Sequence, residues 1–423
     1  MARFTTYKKR WLAVRLFSTV KSQNLPSTIA TTKKIDSPTA SKNLNSVSVE
    51  ALALSCFAAA AKTVTSHYKD GPKVKEWDIA YSASVAMTKA LLKRLVSMGP
   101  NSFIHGIQSV TSYDAPIPME SKIISDSTSF ISDAKVIQFF KQTNPTNFPD
   151  VAAVKSTTSA EWITVPESQL DRIVYFLHGG NYYSGSIQMY RRMAYHLAKQ
   201  SRASVYGINY RLAPQNPYPC ALIDAVSGYK KLLEKYDPQR IIIAGDSSGG
   251  GLAIGTMMAI RDMGLPAPAG GYAISPWVDM SSSFTDHSHY HDTDLMPMVP
   301  FDNRLDDQKH YYIPDEFSKT VYASPFWQKN FKNLPPLLIQ CSDIEKLYKE
   351  IDEFASKAAI DWTSITLEVY QNHVHDFPLL EFSEGSKAAM KRAGDWIQHR
   401  TGSLTRIDLN FKGVEVFEEH NKQ

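Results

Sequence analysis

Apolar strand patterns that alternate with amphipathic helical patterns constrain the fold of this chain more than any other feature. The run Arg172–Leu177 is rich in β-branched and aromatic residues and is apolar at successive positions, as in strands buried on both faces of a parallel sheet. An extended segment precedes it at 162–165. Further strands are predicted at 203–209, 240–244, 271–274, 336–341 and 364–370, with helices at 189–200, 218–236, 249–263, 346–359 and 386–399. This alternation predicts an α/β fold with a mostly parallel, doubly wound sheet.

The flanking segments differ from this pattern and suggest a division of the chain. Residues 1–46 are predicted to form a basic targeting extension and linker, and 47–150 a helical N-terminal or cap region, because 49–68 and 78–95 show helical periodicity. The main α/β domain is predicted at 151–403, with a cap insertion at about 281–333. Residues 404–423 are expected to be a C-terminal tail.

The charge of the chain is concentrated at its N-terminus. The first 35 residues hold eight basic residues and no acidic one, and removing those eight from the 46 basic residues of the chain leaves 38 against 42 acidic. The mildly acidic remainder gives no indication of nucleic-acid binding. The three cysteines, Cys56, Cys220 and Cys341, lack the spacing of a zinc site or a disulfide framework.

The basic extension itself is typical of a mitochondrial presequence. It is rich in Ser, Thr and Arg, places aromatic and aliphatic residues among its cations, and contains Arg15-Leu16-Phe17-Ser18, which resembles a mitochondrial processing site. A basic tail or a membrane anchor is the alternative, and the endoplasmic reticulum membrane is the alternative location. A spanning anchor needs roughly 20 apolar residues, whereas the richest run, 51–61, is shorter. A mitochondrial protein is therefore expected, with membrane association left open.

A nucleophile motif follows the predicted strand at 240–244. Gly245-Asp246-Ser247-Ser248-Gly249 fits the pattern G-x-S-x-G, in which a sharp strand-to-helix turn lifts the central hydroxyl out of the sheet. The residues two positions before and after the serine must be small, because the backbone folds back on itself there. Ser247 is therefore the predicted nucleophile.

A second motif, His178-Gly179-Gly180-Asn181, directly follows the strand ending at Leu177. Glycines leave backbone N–H groups free to approach a ligand oxygen, as an acyl-transfer site requires. The N–H groups of Gly179, Gly180 and Ser248 are assigned to an oxyanion hole. The His178 side chain is interpreted as structural.

A serine nucleophile also needs a base and an orienting acid, in the chain order Ser, Asp or Glu, His for this kind of turn. Asp343 and Glu345 follow the strand at 336–341, and His373 and His375 follow the strand at 364–370. The order is satisfied. Spacing alone leaves two acids and two histidines open.

Six blocks occur in order between about 162 and 400. They are His178–Asn181, Tyr210–Pro214 (YRLAP), Gly245–Gly250 (GDSSGG), Ser275–Asp279 (SPWVD), Pro335–Glu350 and His375–Phe377 (HDF). Together they resemble the HGGG, YRLAP, GDSAGG, SPW-D, PPxLIxxxxxDPLRDE and HGF motifs of the hormone-sensitive-lipase-like esterases of the α/β-hydrolase fold. The resemblance implies Glu345 as the acid, with Asp343 in reserve, and His375 as the base. Asn181 and Asp376 replace glycines of these motifs.

The resemblance implies a serine esterase that works through an acyl-enzyme and needs no metal or organic cofactor. The layout looks most like fungal steryl acetyl hydrolases, so a small hydrophobic ester of the lipid or steryl acetate type is the expected substrate. Apolar lining is expected from Tyr182, Tyr183, Trp277, Tyr290, Met296, Met298 and Phe326, although each could equally be core. A non-catalytic hormone-receptor-like relative and an amidase are the alternatives. The oligomeric state is left open.

One segment could be read as a metal site. Asp286–Asp292 carries histidines at alternate positions. Three ligands on one extended strand cannot close around zinc without a bend. A polar insertion loop is therefore the preferred interpretation.

Overall fold

A nine-stranded sheet organises the part of the chain that this computed structural model describes, which is residues 49–97, 104, 107–108, 114–143, 148–150, 157–281, 293–295, 312–361, 364–402 and 414–419. The strands are β1 (Lys122–Ile131), β2 (Thr157–Thr164), β3 (Gln169–Leu177), β4 (Ala203–Ile208), β5 (Ile241–Asp246), β6 (Gly270–Ile274), β7 (Leu337–Ser342), β8 (Ile365–Tyr370) and β9 (Val414–Glu419). The main helices are α1 (Val49–Asp70), α2 (Ile79–Val96), α3 (Ala134–Thr143), α4 (Arg191–Ser201), α5 (Cys220–Leu233), α6 (Ser247–Asp262), α7 (Tyr348–Ala359) and α8 (Glu384–Arg400).

The sheet has the strand order β1-β2-β4-β3-β5-β6-β7-β8-β9. Strands β3 to β8 run parallel to one another, whereas the pairs β1–β2, β2–β4 and β8–β9 are antiparallel. This architecture confirms the predicted α/β-hydrolase fold. The carboxyl ends of β3, β5, β6, β7 and β8 meet at one edge, where ligands bind in sheets of this kind.

Two hydrophobic cores cover the two faces of the sheet. Along β3, Ile173, Tyr175 and Leu177 point into one core with helices α3, α5, α6 and α7, and Val174 and Phe176 point into the other with α4 and α8. All six residues from Arg172 to Leu177 are buried. Burial on both faces explains why this strand lacks the polar alternation of a half-exposed one.

Three segments pack differently from the expectation. Residues 103–149, read as cap material, contain the edge strand β1 and helix α3, whose Val136 and Phe140 are fully buried in the main core. The predicted tail at 404–423 contains β9, which pairs with β8. In the insertion at 281–333, Tyr312, Tyr322 and Phe331 are buried in the main core, so its second half belongs to the domain itself.

Helices α1 and α2 pack on each other at the N-terminal side of the described chain. Helix α2 begins after Asp78, whose carboxylate accepts a hydrogen bond from the Tyr81 N–H at 2.7 Å and so satisfies an open donor of the first turn. Among the described residues, the helices, including α1 and α2, all lack the combination of length and apolar character that a membrane span requires.

Candidate active site

Ser247 lies on a sharp turn between β5 and α6. Its backbone φ of +52° is in the left-handed region, which is uncommon for a residue with a side chain. A Cβ at Gly245 would collide with the carbonyl oxygen of Gly249, and one at Gly249 would collide with that of Leu177. The two glycines of the motif are therefore required by close backbone contacts.

His375 lies directly beside this serine. Its Nε2 is 3.0 Å from Ser247 Oγ, and both side chains are buried, with residue exposures of 7% and 5%. His373 lies elsewhere: its ring stacks on Phe377 at a centroid distance of 4.7 Å and borders Tyr81 at 5.7 Å. Of the two histidines left open by spacing, the structure brings only His375 to the serine.

Glu345 lies on the other side of the imidazole. Its Oε1 is 3.6 Å from His375 Nδ1, and neither of these two buried atoms has a hydrogen-bond partner elsewhere in the described chain. In structures without substrate such catalytic contacts are often long. Asp343 does not reach the histidine, because its Oδ1 accepts the Asn372 N–H at 2.7 Å.

Ser275, which has no role predicted from the sequence, contacts the candidate acid Glu345. It follows β6 with a φ of +42°, and its hydroxyl donates a hydrogen bond to Glu345 Oε2 at 2.6 Å. The Ser342 N–H donates to the same oxygen at 3.1 Å. The sequence feature that could have indicated this role is the position of Ser275, which is the first residue of the SPWVD block and directly follows a strand.

The predicted oxyanion hole needs one correction. The N–H of Gly179 donates to Asp246 Oδ1 at 2.9 Å, and the Tyr190 hydroxyl donates to Oδ2 of the same carboxylate at 2.8 Å. The assignment of Gly179 as an oxyanion donor is therefore wrong. Within the described chain, the N–H groups of Gly180 and Asn181 donate no hydrogen bond to another protein group.

The backbone at these two positions is unusual. Gly180 has a φ of +117° and Asn181 a φ of +56°. A Cβ at Gly180 would collide with the carbonyl of Ser184. The N–H of Ser248 lies in the first turn of α6, where backbone donors lack intrahelical partners.

His178 is a buried residue of the loop that follows β3. Its Nδ1 is 2.8 Å from the carbonyl oxygen of Gly179, and its ring stacks on Tyr210 at 4.4 Å. Burial lowers its pKa to about 4, so the ring is neutral near pH 7. These contacts suit a residue that orders the loop.

Carboxylates surround His375. Burial opposes the charged form of the ring, but Asp376 and Glu345 favour it, and the pKa of His375 is raised well above its ordinary value. Burial also raises the pKa of Glu345, which the histidine counteracts. The two carboxylates thus favour the imidazolium form of His375 electrostatically.

The loop carrying His375 is held by residues distant in sequence. Trp77 Nε1 donates to the carbonyl oxygen of Asn372 at 2.6 Å, and the Val374 N–H donates to the Tyr81 hydroxyl at 3.1 Å. Both Trp77 and Tyr81 are buried. The region at the start of α2 therefore contacts the backbone of the histidine loop directly.

Asp294, from the insertion, contacts the same loop. Its Oδ1 accepts the His375 N–H at 2.8 Å and its Oδ2 accepts the Lys346 N–H at 2.9 Å. The residue is fully buried. One carboxylate thus joins the loops that carry the acid and the base, a contact that no sequence pattern indicated.

The apolar residues expected to line the site fall into three groups. Tyr182 and Trp277 are buried in the main core, while Tyr183 and Phe326 are partly buried against it. Tyr290, Met296 and Met298 lie outside the described residues, as does the segment Asp286–Asp292. Among the residues described, no group of three His, Cys, Asp or Glu side chains is placed to hold a metal ion.

Comparison with known proteins agrees with this architecture. A family profile of the α/β-hydrolase fold matches residues 174–379. An acetyl-hydrolase of Streptomyces hygroscopicus is 33% identical over 258 residues, which cover 60% of this chain and 83% of that protein. The crystal structure of EstE5 soaked with p-nitrophenyl butyrate is similar with a TM-score of 0.59 at 27% identity, over 74% of this chain and 98% of that one.

A third similarity concerns an esterase of the bacterial hormone-sensitive lipase family. Its crystal structure has a TM-score of 0.55 at 25% identity and covers 74% of this chain and 98% of that protein. The chain therefore belongs to the hormone-sensitive-lipase-like esterases of the α/β-hydrolase fold. It is a carboxylic ester hydrolase.

Proposed function

We propose that this chain hydrolyses esters through an acyl-enzyme formed on Ser247. The observation that carries the proposal is the 3.0 Å contact between Ser247 Oγ and His375 Nε2, with Glu345 on the opposite side of the ring. Oγ attacks the ester carbonyl carbon while its proton passes to Nε2. Glu345 holds the ring in the correct tautomer and stabilises its charged form.

The remaining steps use the same groups. The tetrahedral intermediate collapses, the carbon–oxygen bond to the alcohol breaks, and the departing oxygen takes the proton from His375 Nε2. Water then attacks the acyl-serine while His375 accepts its proton. The second tetrahedral intermediate expels Ser247 Oγ, which regains a proton, and the free acid leaves.

We assign the oxyanion to the backbone N–H groups of Gly180, Asn181 and Ser248. The first two donate to no other protein group of the described chain, and the third lies at the N-terminus of α6. A helix N-terminus also favours negative charge through its aligned peptide dipoles. Donors fixed before the reaction stabilise the intermediate without reorganisation.

We further propose a short acyl group, of the acetyl type, on a hydrophobic lipid-like or steryl alcohol. The name of the Streptomyces relative supports the acyl part of this proposal. The alcohol part is supported by Tyr183, whose hydroxyl is 3.2 Å from Asn181 Nδ2 and whose ring packs on the cluster of Leu52, Leu95 and Ile104. Apolar surface therefore begins beside the proposed oxyanion loop.

Labelling with a fluorophosphonate probe and a panel of esters test the proposal together. The wild type should label and Ser247→Ala should not, and kcat/KM should fall as the acyl chain of a p-nitrophenyl ester lengthens from acetate to decanoate. A steryl acetate should then be cleaved faster than a matched acetamide. Failure of the wild type to label would favour a receptor-like binding protein, and faster cleavage of the amide would favour an amidase.

We propose a mitochondrial location for the protein. The support is the basic, acid-free extension with its Arg15-Leu16-Phe17-Ser18 string. In that compartment we propose that the protein acts in lipid-ester metabolism. Cell fractionation with mitochondrial and endoplasmic reticulum markers distinguishes the two locations considered above.

A further inference from the structure

Asp376 places a second carboxylate on the imidazole of His375. Its Oδ2 is 3.1 Å from His375 Nε2, the same nitrogen that faces Ser247 Oγ at 3.0 Å. The motif of similar esterases has glycine at this position. Asp376 has a φ of +54°, in the left-handed region that favours glycine, so its side chain is present despite a conformational cost.

The carboxylate has few other partners. Asp376 Oδ1 is buried and has no hydrogen-bond partner in the described chain, and the side chain is 12% exposed. Its backbone N–H donates to the Ser275 hydroxyl at 3.2 Å, which fixes the residue beside the acid. The histidine is therefore the principal polar contact of this carboxylate.

The two protonation states of His375 respond to this contact in opposite ways. In the neutral ring, Nε2 carries a lone pair that accepts the proton of Ser247. This lone pair and the nearby Asp376 carboxylate are both electron-rich, so they repel each other. In the imidazolium, Nε2–H lies between Ser247 Oγ and Asp376 Oδ2 and can donate to both. Asp376 thus favours the imidazolium before the reaction and whenever it forms during turnover.

We propose that Asp376 is a positioning residue that acts through His375 and sets the lower limit of the pH range in which Ser247 can be activated. The proposal rests on the proposed function, in which His375 is the base. Asp376 is then a second carboxylate on the imidazole: it lies at Nε2, the nitrogen that faces Ser247, whereas Glu345 lies at Nδ1.

The other carboxylates near the ring act in the same direction, whereas the ammonium group of Lys346 opposes protonation of the ring. Glu345 lies at Nδ1, Asp294 accepts the backbone N–H of His375, and Asp246 lies at the end of β5 with Tyr190 bonded to it. Tyr81 accepts a hydrogen bond from the backbone N–H of Val374 in the histidine loop. The buried Lys346 follows Glu345 in sequence, and its charged form is favoured by the Asp294 carboxylate.

The direction of the pH effect follows from the electrostatics. Burial opposes protonation of His375, but the negative charge of Asp376 makes the largest favourable contribution to it. The pKa of His375 is therefore raised well above its ordinary value. A base with a raised pKa loses its proton only at higher pH. The acidic limb of the activity profile should therefore lie at higher pH with Asp376 than without it.

The test is the pH profile of kcat/KM for p-nitrophenyl acetate in the wild type, Asp376→Asn and Asp376→Gly. Both substitutions should move the acidic limb down by about 1 pH unit or more, as loss of an opposite charge within hydrogen-bond distance predicts. The plateau at high pH should fall by less than about tenfold, because only part of the imidazolium charge is present in the transition state. Glycine suits the left-handed backbone, so Asp376→Gly should fold.

Two further measurements separate this effect from others. Asp395→Asn removes a carboxylate from a helix-surface pair with Lys391 (2.6 Å) and should leave the profile in place. The rate of Ser247 labelling by a fluorophosphonate should shift with pH as the activity does. Profiles of both Asp376 variants that superimpose on the wild type, or that fall uniformly without a shift, would overturn the proposal. A wild type without esterase activity would instead overturn the proposed function.

Discussion

Asp294 accepts a hydrogen bond from the backbone N–H of His375 at 2.8 Å, across 81 residues of sequence. Its second oxygen accepts the N–H of Lys346, the residue after the proposed acid. A side chain in the insertion therefore sets the spacing between the two loops that must meet on either side of the imidazole.

Substitution of Asp294 by alanine should reduce both stability and turnover. Each buried N–H left without an acceptor costs about 1–3 kcal/mol, so loss of the acceptor for both should lower the free energy of unfolding by about 2–6 kcal/mol. A displaced base should lower kcat by roughly 10- to 100-fold. Urea unfolding and steady-state kinetics measure the two effects. Asp294→Asn keeps one oxygen acceptor, so its free energy of unfolding and its kcat should lie between those of the wild type and the alanine variant. Equal kcat in all three proteins would contradict the assigned role.

Loss of Ser247 or His375 should abolish hydrolysis without unfolding the protein. Ser247→Ala and His375→Ala should each lower kcat by at least about 10³-fold, because the groups act as a unit. His373→Ala is the matched control and should retain most of the activity, since that ring packs on Phe377 and Tyr81. Circular dichroism checks the fold. If His375→Ala kept more than a few per cent of the activity, the base would have to be reassigned.

Glu345→Gln should be far more damaging than Asp343→Asn. The first change removes the anion that faces His375 Nδ1, with an expected loss in kcat of orders of magnitude, on the order of 10⁴ in a comparable triad. The second keeps an acceptor oxygen for the Asn372 N–H and should be mild. Steady-state kinetics on p-nitrophenyl acetate rank the two variants, and the reverse ranking would make Asp343 the acid.

The proposed oxyanion loop should tolerate glycine at Asn181 but not alanine at Gly180. Asn181→Gly keeps the backbone donor and suits a φ of +56°, so activity should be retained. Gly180→Ala forces a Cβ into the carbonyl of Ser184 and displaces one donor. A loss in kcat of about 10²-fold or more is expected for that displacement. Comparable activity in both variants would place the oxyanion donors elsewhere.

Residues 1 to about 17 should direct a fused reporter to mitochondria and be removed there. The basis is the run of cations without acidic residues, which includes Arg15 ahead of Phe17-Ser18. Microscopy of the reporter and N-terminal sequencing of the native protein provide the measurement. Replacing Arg10 and Arg15 by glutamate is the control and should block import. A native protein that begins at Met1 or Ala2, with a reporter outside mitochondria, would rule out the presequence.

The central strands and the nucleophile turn were predictable because local sequence determines them. Residues 173–177 are apolar at every position, and the glycines flanking Ser247 belong to a contiguous motif, although Gly249 is also required by the nearby carbonyl oxygen of Leu177 in β3. β1 was missed because an edge strand has one neighbour and can carry polar residues such as Ser125 and Asp126. The residues from Val414 to Glu419 alternate as in a strand, whereas the sequence-based expectation for this segment is a tail.

The details of the site depend on contacts that no local pattern contains. The Gly179 N–H is engaged by Asp246, a side chain 67 residues further along the chain. The role of Ser275 likewise depends on Glu345, which lies 70 residues away. The motifs therefore indicated Ser247, Glu345 and His375, which the structure brings together, while the proposed donors and orienting residues required the assembled fold.

The contacts of Trp77 and Tyr81 with the backbone of the histidine loop bear on how such enzymes can be re-engineered. Exchange of N-terminal segments between relatives is an obvious route to new substrate ranges. In this chain the exchange would also remove the acceptor for the Val374 N–H and the donor to the Asn372 carbonyl. A hybrid that binds a new ester could therefore lose turnover for a reason unrelated to substrate fit. Designs that retain these two side chains should separate selectivity from catalytic rate.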